Sequence, residues 1–473
     1  MRLFYVILCL ICCVPLAVAD GLPELGDVSA TVLSPLQEQR IADQIMRDVY
    51  RSSDVIQDPE INDYVQALGN RLAAAGPDKA QKFNFFVVKD RTINAFAMPG
   101  GVIGVHTGLI TAANSESEVA GVLGHEIGHV VQHHLARMLA NQKRDTIINM
   151  ATMALALLAA RGNPQLGSGA LVAASAGGIQ KQLDYTREHE READRVGMQI
   201  LGDAGFDTHG MGTFFETLQK GSRFSEGAAP SFLRTHPLTS ERISDVKGRE
   251  AANFKMISYS PDFDYVRAKL VADLGTPSQA VDVFRANLEQ RRYNNEAAQH
   301  YGLAVASVRN RDFANADKEL LWLRTNAPKH AMFASLAANI EVARNRPDQA
   351  VKLYISGLQD FPGSRALIYG YAEHFLNLGQ ADKALKLVAD KQSLYPEDPY
   401  FYEMSAKAYA MQGKLLLSFQ AQGEAYVRKY NLQGAIEQMD LATKAKDGDF
   451  YQHSIVEARL KDLKQQIVDP KKI

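Results

Sequence analysis

Cysteine is nearly absent from this 473-residue chain, whose three cysteines all lie within the first 13 residues. Arg2, the apolar run 3–14 and the small residues 17–19 are typical of a secretory signal peptide that is cleaved after Ala19. Cleavage would leave no thiols, which excludes disulfide cross-links and a metal site built from cysteine. An uncleaved membrane anchor is the alternative, although the apolar run is short for a membrane span.

Strong charge and long internal apolar runs are also lacking. The formal net charge of −2 excludes a nucleic-acid binder driven by phosphate contacts. The apolar stretch 146–160 is shorter than the roughly 20 residues that span a membrane, and Pro164 follows it. We therefore expect buried helices with a mobile connection over 146–179. A membrane hairpin, or a surface element that touches a membrane or a partner, is the alternative.

The H-E-x-x-H segment 125–129 carries the clearest chemistry. Ser115 and Glu118 have the form of a capping box, and the apolar positions that follow predict one buried helix. Residues four apart on a helix share a face, so His125 and His129 can bind one metal ion. Glu126 would lie beside that metal, where its carboxylate can accept a proton from an attacking water. Solvated surface histidines are the alternative, but a buried face does not carry such groups without a partner.

A second helix is predicted over 186–201, where carboxylates crowd one face. Such a charge run usually marks a solvated, salt-bridged surface. The two histidines need a third ligand, however, and Glu188, Glu190 and Glu192 are the candidates. The residues just after the first motif, His133 and His134, are expected to be solvated at the helix end.

The remaining pattern divides the chain near residue 260. Before it, 35–70 has a helical pattern, and strands are predicted at 83–88, 95–98 and 102–105. After it, three columns of residues recur at an interval of 34: Pro328, Pro362 and Pro396; Ala316, Ala350 and Ala384; Asn345, Gly379 and Gly413. This period is typical of tetratricopeptide (TPR) repeats, which stack helix pairs into a solenoid that binds peptides or proteins. Residues 262–310 and 414–465 are expected to be degenerate or capping repeats.

The two parts together resemble the M48 family of zinc metallopeptidases, and within it the periplasmic group that carries TPR repeats and enhances β-barrel assembly. The resemblance rests on 94–101 (NAFAMPGG), 117–126 (SEVAGVLGHE) and 186–194 (TREHEREAD). Thr186 stands where the family usually has serine. The implied fold is α+β: a mostly helical, gluzincin-like zinc metallopeptidase domain with a small sheet, followed by an all-α TPR solenoid. The corresponding domains are 1–19 (signal peptide), 20–260 (M48 metallopeptidase) and 261–473 (TPR repeats).

The resemblance also implies the metal ligands. The family pattern Glu-x-x-Ala-Asp makes Glu190 the third ligand of one zinc ion per chain, beside His125 and His129. Asp194, one helical turn further on, would hold a ligand histidine by a hydrogen bond or assist proton transfer. The carboxylates at 188 and 192 lie off that face and are expected to be solvated.

Two further assignments concern substrate and regulation. Glu126 would be the general base, and the strand containing Asn94, Ala95 and Phe96 would bind extended substrate by strand addition. His236 lies in a loop between the zinc domain and the repeats. It either has no role or reaches the zinc, where it would close the open position or stabilise the oxyanion.

The implied function is a periplasmic zinc endopeptidase that acts on misfolded or stalled outer-membrane proteins. Its repeats would recruit substrate or the outer-membrane barrel assembly machinery. The alternative is mainly a chaperone or adaptor whose proteolysis is latent, since an intact zinc site shows capability rather than use. A membrane-embedded protease would require 146–179 to enter a bilayer.

Overall fold

The computed structural model describes residues 33–139, 187–224, 231–250 and 260–468. The predicted signal peptide, the stretch 146–179 and Thr186 lie outside these residues. The predicted fold class is confirmed: a mostly helical α+β part with a small sheet precedes an all-helical repeat region. Within the described ranges, no helix combines the length and the apolar character needed to cross a membrane.

The part before residue 260 packs helices against one small sheet. The helical pattern over 35–70 is two helices rather than one, because Asp58 caps the second helix and Pro59 begins it. The helices are α1 (Pro35–Arg51), α2 (Pro59–Ala75), α3 (Thr107–Ala112), α4 (Glu116–Val131), α5 (His134–Leu139), α6 (Arg187–Asp203), α7 (His209–Phe224), α8 (Ser231–Thr235) and α9 (Ser240–Gly248).

The sheet has three strands in the order β1-β3-β2. They are β1 (Asn84–Val88), β2 (Ala95–Met98) and β3 (Val102–His106), which confirms the three predicted strands to within one residue at each end. β1 runs parallel to β3, and β2 runs antiparallel to it. β2 is therefore an edge strand, and it packs along the H-E-x-x-H helix α4.

The helix α4 is buried at every residue from 117 to 129. Its start agrees with the prediction, since the Ser115 side chain accepts a hydrogen bond from the backbone of Glu118. α6 crosses α4 at glycines: a Cβ added to Gly128 would lie 2.9 Å from the Ala193 carbonyl oxygen, and one added to Gly197 would lie 2.8 Å from the His125 nitrogen. This close approach brings the carboxylates of α6 opposite the histidines of α4.

The described residues after 260 form helices without strands, in successive antiparallel pairs. Ala316, Ala350 and Ala384 are fully buried between helices, and Gly379 and Gly413 turn the chain with φ values of +73° and +70°. The helices are α10 (Asp262–Ala272), α11 (Pro277–Glu289), α12 (Glu296–Arg309), α13 (Phe313–Asn326), α14 (Ala331–Ala343), α15 (Pro347–Asp360), α16 (Arg365–Asn377), α17 (Ala381–Gln392), α18 (Pro399–Met411), α19 (Leu415–Arg428), α20 (Leu432–Thr443) and α21 (Phe450–Val468).

The solenoid folds back onto the first part of the chain. Lys269 places its Nζ 2.5 Å from Asp58 Oδ2 and 2.6 Å from Glu60 Oε2, at the N-terminus of α2. Arg365 on α16 pairs with Asp63 on α2. One hydrophobic core runs continuously from α2 to α14, so the two parts form one packed body.

Candidate metal centre

Four metal-binding side chains converge at the contact between α4 and α6. His125 and His129 come from α4, Glu190 from α6, and His236 from the residue after α8. One donor atom of each lies within 4.8 Å of the others, and all four residues are at most 2% exposed. The sequence left three carboxylates as candidates for the third ligand: Glu188, Glu190 and Glu192. Of these three, only Glu190 belongs to this cluster.

The donor atoms point at a common centre. His125 Nε2 lies 3.0 Å from His129 Nε2 and 3.3 Å from His236 Nδ1. Glu190 Oε1 lies 3.0 Å from His236 Nδ1 and 3.4 Å from His129 Nε2. Imidazole nitrogens with a carboxylate oxygen are a ligand set that suits zinc.

The carboxylate of Glu126 adds the clearest sign of a ligand. It is 1% exposed, and neither of its oxygens has a hydrogen-bond partner among the described residues. Oε1 lies 3.5 Å from His236 Nε2. A buried carboxylate without hydrogen bonds is costly. A cation and a water between this carboxylate and the four donors would compensate it, so the residues fit a divalent metal.

The electrostatics favour the metal-binding forms of His129 and Glu190 but the protonated form of His236. Burial lowers the pKa of His129, which favours the neutral ring. Burial opposes the ionisation of Glu190, but the neighbouring histidines, foremost His236, hold its pKa well below the usual range. For His236 itself, burial lowers the pKa, and the carboxylates of Glu190 and Glu126 outweigh burial and raise it. An ionised carboxylate and neutral imidazoles are the forms that bind metal.

Asp194 and Arg242 support the cluster from the side opposite the converging donor atoms. Asp194 Oδ1 lies 2.9 Å from His125 Nδ1, the ring nitrogen that does not face the other donors. Arg242 donates from Nε and Nη2 to the two oxygens of Asp194 at 2.7 and 2.8 Å, and its Nη1 lies 2.6 Å from Glu190 Oε2. This geometry suits the holding role of Asp194. Sequence reasoning missed Arg242, although two carboxylates on one buried helix face require a cation nearby.

The prediction that His134 is solvated is wrong. His134 is fully buried rather than solvated, with its Nδ1 2.8 Å from His129 Nδ1. Its Nε2 lies 3.0 Å from Glu192 Oε2, so Glu192 is paired rather than simply solvated. Burial lowers the pKa of His134 to about 4. Glu188 is exposed, as predicted.

The predicted substrate strand is β2, at an edge of the sheet where no further strand pairs with it among the described residues. The His106 nitrogen donates to the Asn94 carbonyl, so Asn94 and Phe96 face β3 with their backbone groups. Backbone groups alternate along an antiparallel strand, which turns those of Ala95 away from β3. The carbonyl of Ile93, the residue before Asn94, accepts a hydrogen bond from the backbone nitrogen of Phe232, at the start of α8. The segment that carries His236 therefore joins the sheet where this edge begins.

Known proteins share both parts of the chain. Residues 59–250 match the family described as peptidase family M48, and residues 341–408 match a tetratricopeptide repeat. The beta-barrel assembly-enhancing protease of Escherichia coli (strain K12) is 30% identical over 94% of this chain and 92% of its own length. The protein of that name from Yersinia pestis is also 30% identical, with the same coverage. The E. coli metalloprotease LoiP is 28% identical over 47% of this chain and 83% of its own.

Proposed function

Since this chain belongs to the M48 metallopeptidases, among the beta-barrel assembly-enhancing proteases, we propose that it is a periplasmic zinc endopeptidase that degrades misfolded or stalled outer-membrane proteins and assists their assembly. Family membership makes it a metalloendopeptidase. One observation carries the proposal: four buried donors converge beside Glu126, whose carboxylate has no hydrogen-bond partner in the described part of the chain. A purely structural cluster leaves that carboxylate unexplained, whereas a general base requires it.

His125, His129 and Glu190 would hold one zinc ion per chain. A zinc ion there would supply Lewis-acid chemistry, polarising a peptide carbonyl and lowering the pKa of water. Glu126 would accept the proton of the attacking water on its carboxylate and deliver a proton to the nitrogen of the leaving amine. Asp194 would donate no proton to substrate; it would keep the Nε2 lone pair of His125 directed into the cluster.

The edge of β2 would hold the substrate backbone. Ala95 directs its backbone groups away from β3 by the alternation of an antiparallel strand, and an extended peptide would pair with them as an added strand. Asn94 and Phe96 would keep this strand in register through their hydrogen bonds to β3. Only an unfolded or strand-like segment offers a free backbone, which fits misassembled proteins better than folded ones.

The repeats would recruit substrate or the barrel assembly machinery. The helices α14, α16 and α18 face α1, α2 and β1 across a groove lined by Tyr50, Phe86, Arg365, Tyr369 and Tyr400. Aromatic and charged side chains along a groove beside the repeat helices suit an extended peptide. Because this groove lies beside the metallopeptidase part, a partner bound in it would be close to the protease.

Removing the metal is expected to abolish peptide hydrolysis and lower stability. The wild-type chain would be freed of metal with a chelator, and hydrolysis of an unfolded protein would be measured before and after zinc is restored. Zinc at 1,000 times its dissociation constant stabilises a single-site protein by about 4 kcal/mol, so the unfolding midpoint should rise again with zinc. A chain that binds no zinc, or that cleaves equally well without it, would contradict the proposed function.

Replacing His236 by alanine is expected to increase basal hydrolysis. His236 Nδ1 lies 3.3 Å from His125 Nε2, so the side chain would fill the position that water and substrate need. If closure is favoured by about 1.4 kcal/mol, its loss would raise the rate about tenfold. The measurement is hydrolysis of an unfolded protein at saturating zinc.

The matched control is His209→Ala, which removes a half-exposed histidine that pairs with Asp207 and is not part of the cluster. It should leave the rate unchanged. A fall in the rate of His236→Ala would favour the oxyanion role over closure. A rate equal to that of the wild type would exclude both roles.

A chaperone or adaptor with latent proteolysis is the second candidate. The observation that favours it is His236 in the cluster, in contact with Glu190 and Glu126. A closed site would leave the repeats to act on barrel assembly while hydrolysis waits for a signal. The two candidates differ in whether client maturation and turnover need the proton acceptor at Glu126.

A further inference from the structure

The turn after α4 brings a buried histidine back to the metal cluster. His133 adopts a left-handed conformation, with φ of +50°, between the end of α4 and the start of α5. This turn places His134 against His129, with their Nδ1 atoms 2.8 Å apart. The ring of His189 stacks on that of His134 at a centroid distance of 4.5 Å. His134 is thus held on one face as well as at both nitrogens.

The outer nitrogen of His134 must be the protonated one. Glu192 Oε2 lies 3.0 Å from His134 Nε2 and accepts a second hydrogen bond, also of 3.0 Å, from Arg137 Nη1. A carboxylate paired with an arginine is ionised, and an ionised carboxylate only accepts hydrogen bonds. His134 Nε2 is therefore the donor to Glu192.

The position of the proton on His134 also determines which nitrogen of His129 is protonated. The His134 ring is fully buried and faces a nitrogen of His129 rather than a second carboxylate, so it stays neutral and its Nδ1 carries a lone pair. The proton between the two Nδ1 atoms then belongs to His129. As a result, His129 Nε2 carries its lone pair on the side where His125 and Glu190 converge.

The two histidines of the motif are thus fixed by two carboxylates of the same helix. Asp194 contacts His125 Nδ1 directly, whereas Glu192 acts on His129 through His134. Both contacts leave an Nε2 lone pair for a metal. Hydrogen-bonded carboxylates that orient ligand histidines in this way are common around zinc.

We propose that Glu192 and His134 form a relay that holds His129 in its metal-binding tautomer and thereby sets the zinc affinity of the site. Both are positioning residues, since neither faces the centre of the cluster. The relay rests on the zinc site of the proposed function. It assigns an outer carboxylate to each motif histidine, which the sequence pattern alone did not do.

The test is the zinc affinity of the full-length chain, measured by competition with a chromophoric chelator. His134→Leu and Glu192→Ala should each weaken zinc binding about 10- to 100-fold, the usual cost of losing such a partner. The double variant should be no weaker than His134→Leu, because both residues act through one path. His134→Asn should recover part of the affinity, because its amide oxygen can still accept the His129 proton.

The matched control is Glu188→Ala, which removes an exposed carboxylate one turn before Glu192 on the same helix. It should leave the zinc affinity unchanged. Circular dichroism of the zinc-free variants would confirm that each is folded. If His134→Leu does not fold, Glu192→Ala still tests the relay, because the Glu192 side chain is 27% exposed. Equal affinities of wild type and Glu192→Ala would overturn the relay alone. A wild-type chain without zinc affinity would overturn the proposed function as well.

Discussion

Exchanging Glu126 for glutamine is expected to reduce peptide hydrolysis by about 100- to 10,000-fold, the usual contribution of a general base, while zinc binding is retained. Glutamine has the same shape but cannot accept a proton from water. No hydrogen bond of the Glu126 carboxylate is lost, since none is made within the described residues. Hydrolysis of an unfolded protein and the zinc content of the purified variant are the two measurements.

The comparison should also be made in a His236→Ala background, so that a closed site does not conceal the loss. Glu188→Gln, at an exposed carboxylate, is the control and should keep the full rate. Residual hydrolysis near the wild-type level would remove Glu126 from the mechanism. In cells, client maturation and turnover that did not change in Glu126→Gln would favour the adaptor over the protease.

The features that residue patterns alone predicted correctly share one property: they are local. His125 and His129 share a face because helices have a fixed period, and Ser115 marks the start of that helix whatever surrounds it. The repeats were readable for the same reason, since Gly379 and Gly413 recur where the chain must turn with positive φ. Such signals need no knowledge of the tertiary structure.

The parts that the sequence did not predict depend on contacts across the fold. Arg242 meets Asp194 across 48 positions of the chain, and neither periodicity nor spacing predicts that distance. His134 was expected in solvent because it follows the helix end, yet one left-handed residue, His133, turns it inward. A charge argument could have found the first, since buried carboxylates need a cation. For the second, histidine is one of the non-glycine residues that adopt positive φ more often, but residue type alone does not predict that His133 does so.

Substituting Arg242 by methionine is expected to destabilise the chain by about 3 to 5 kcal/mol, the usual cost of removing one partner from a buried ion pair. Arg242 is 3% exposed and donates to both oxygens of Asp194. Methionine would fill much of its volume but leave the carboxylates of Asp194 and Glu190 without their cation. Guanidinium unfolding followed by circular dichroism would measure the loss. Fluorescence of the single tryptophan, Trp322, would report on α13 in the repeats instead.

The control for this variant is Arg249→Met, which breaks a surface pair with Asp245 and should cost less than about 1 kcal/mol. Arg242→Lys should fall between the two, because a lysine cannot donate to both carboxylate oxygens in the same plane. A cost for Arg242→Met no larger than that of Arg249→Met would mean that the two carboxylates are not held by this residue. The destabilisation should be greater in the zinc-free chain, since zinc would supply a second cation to Glu190.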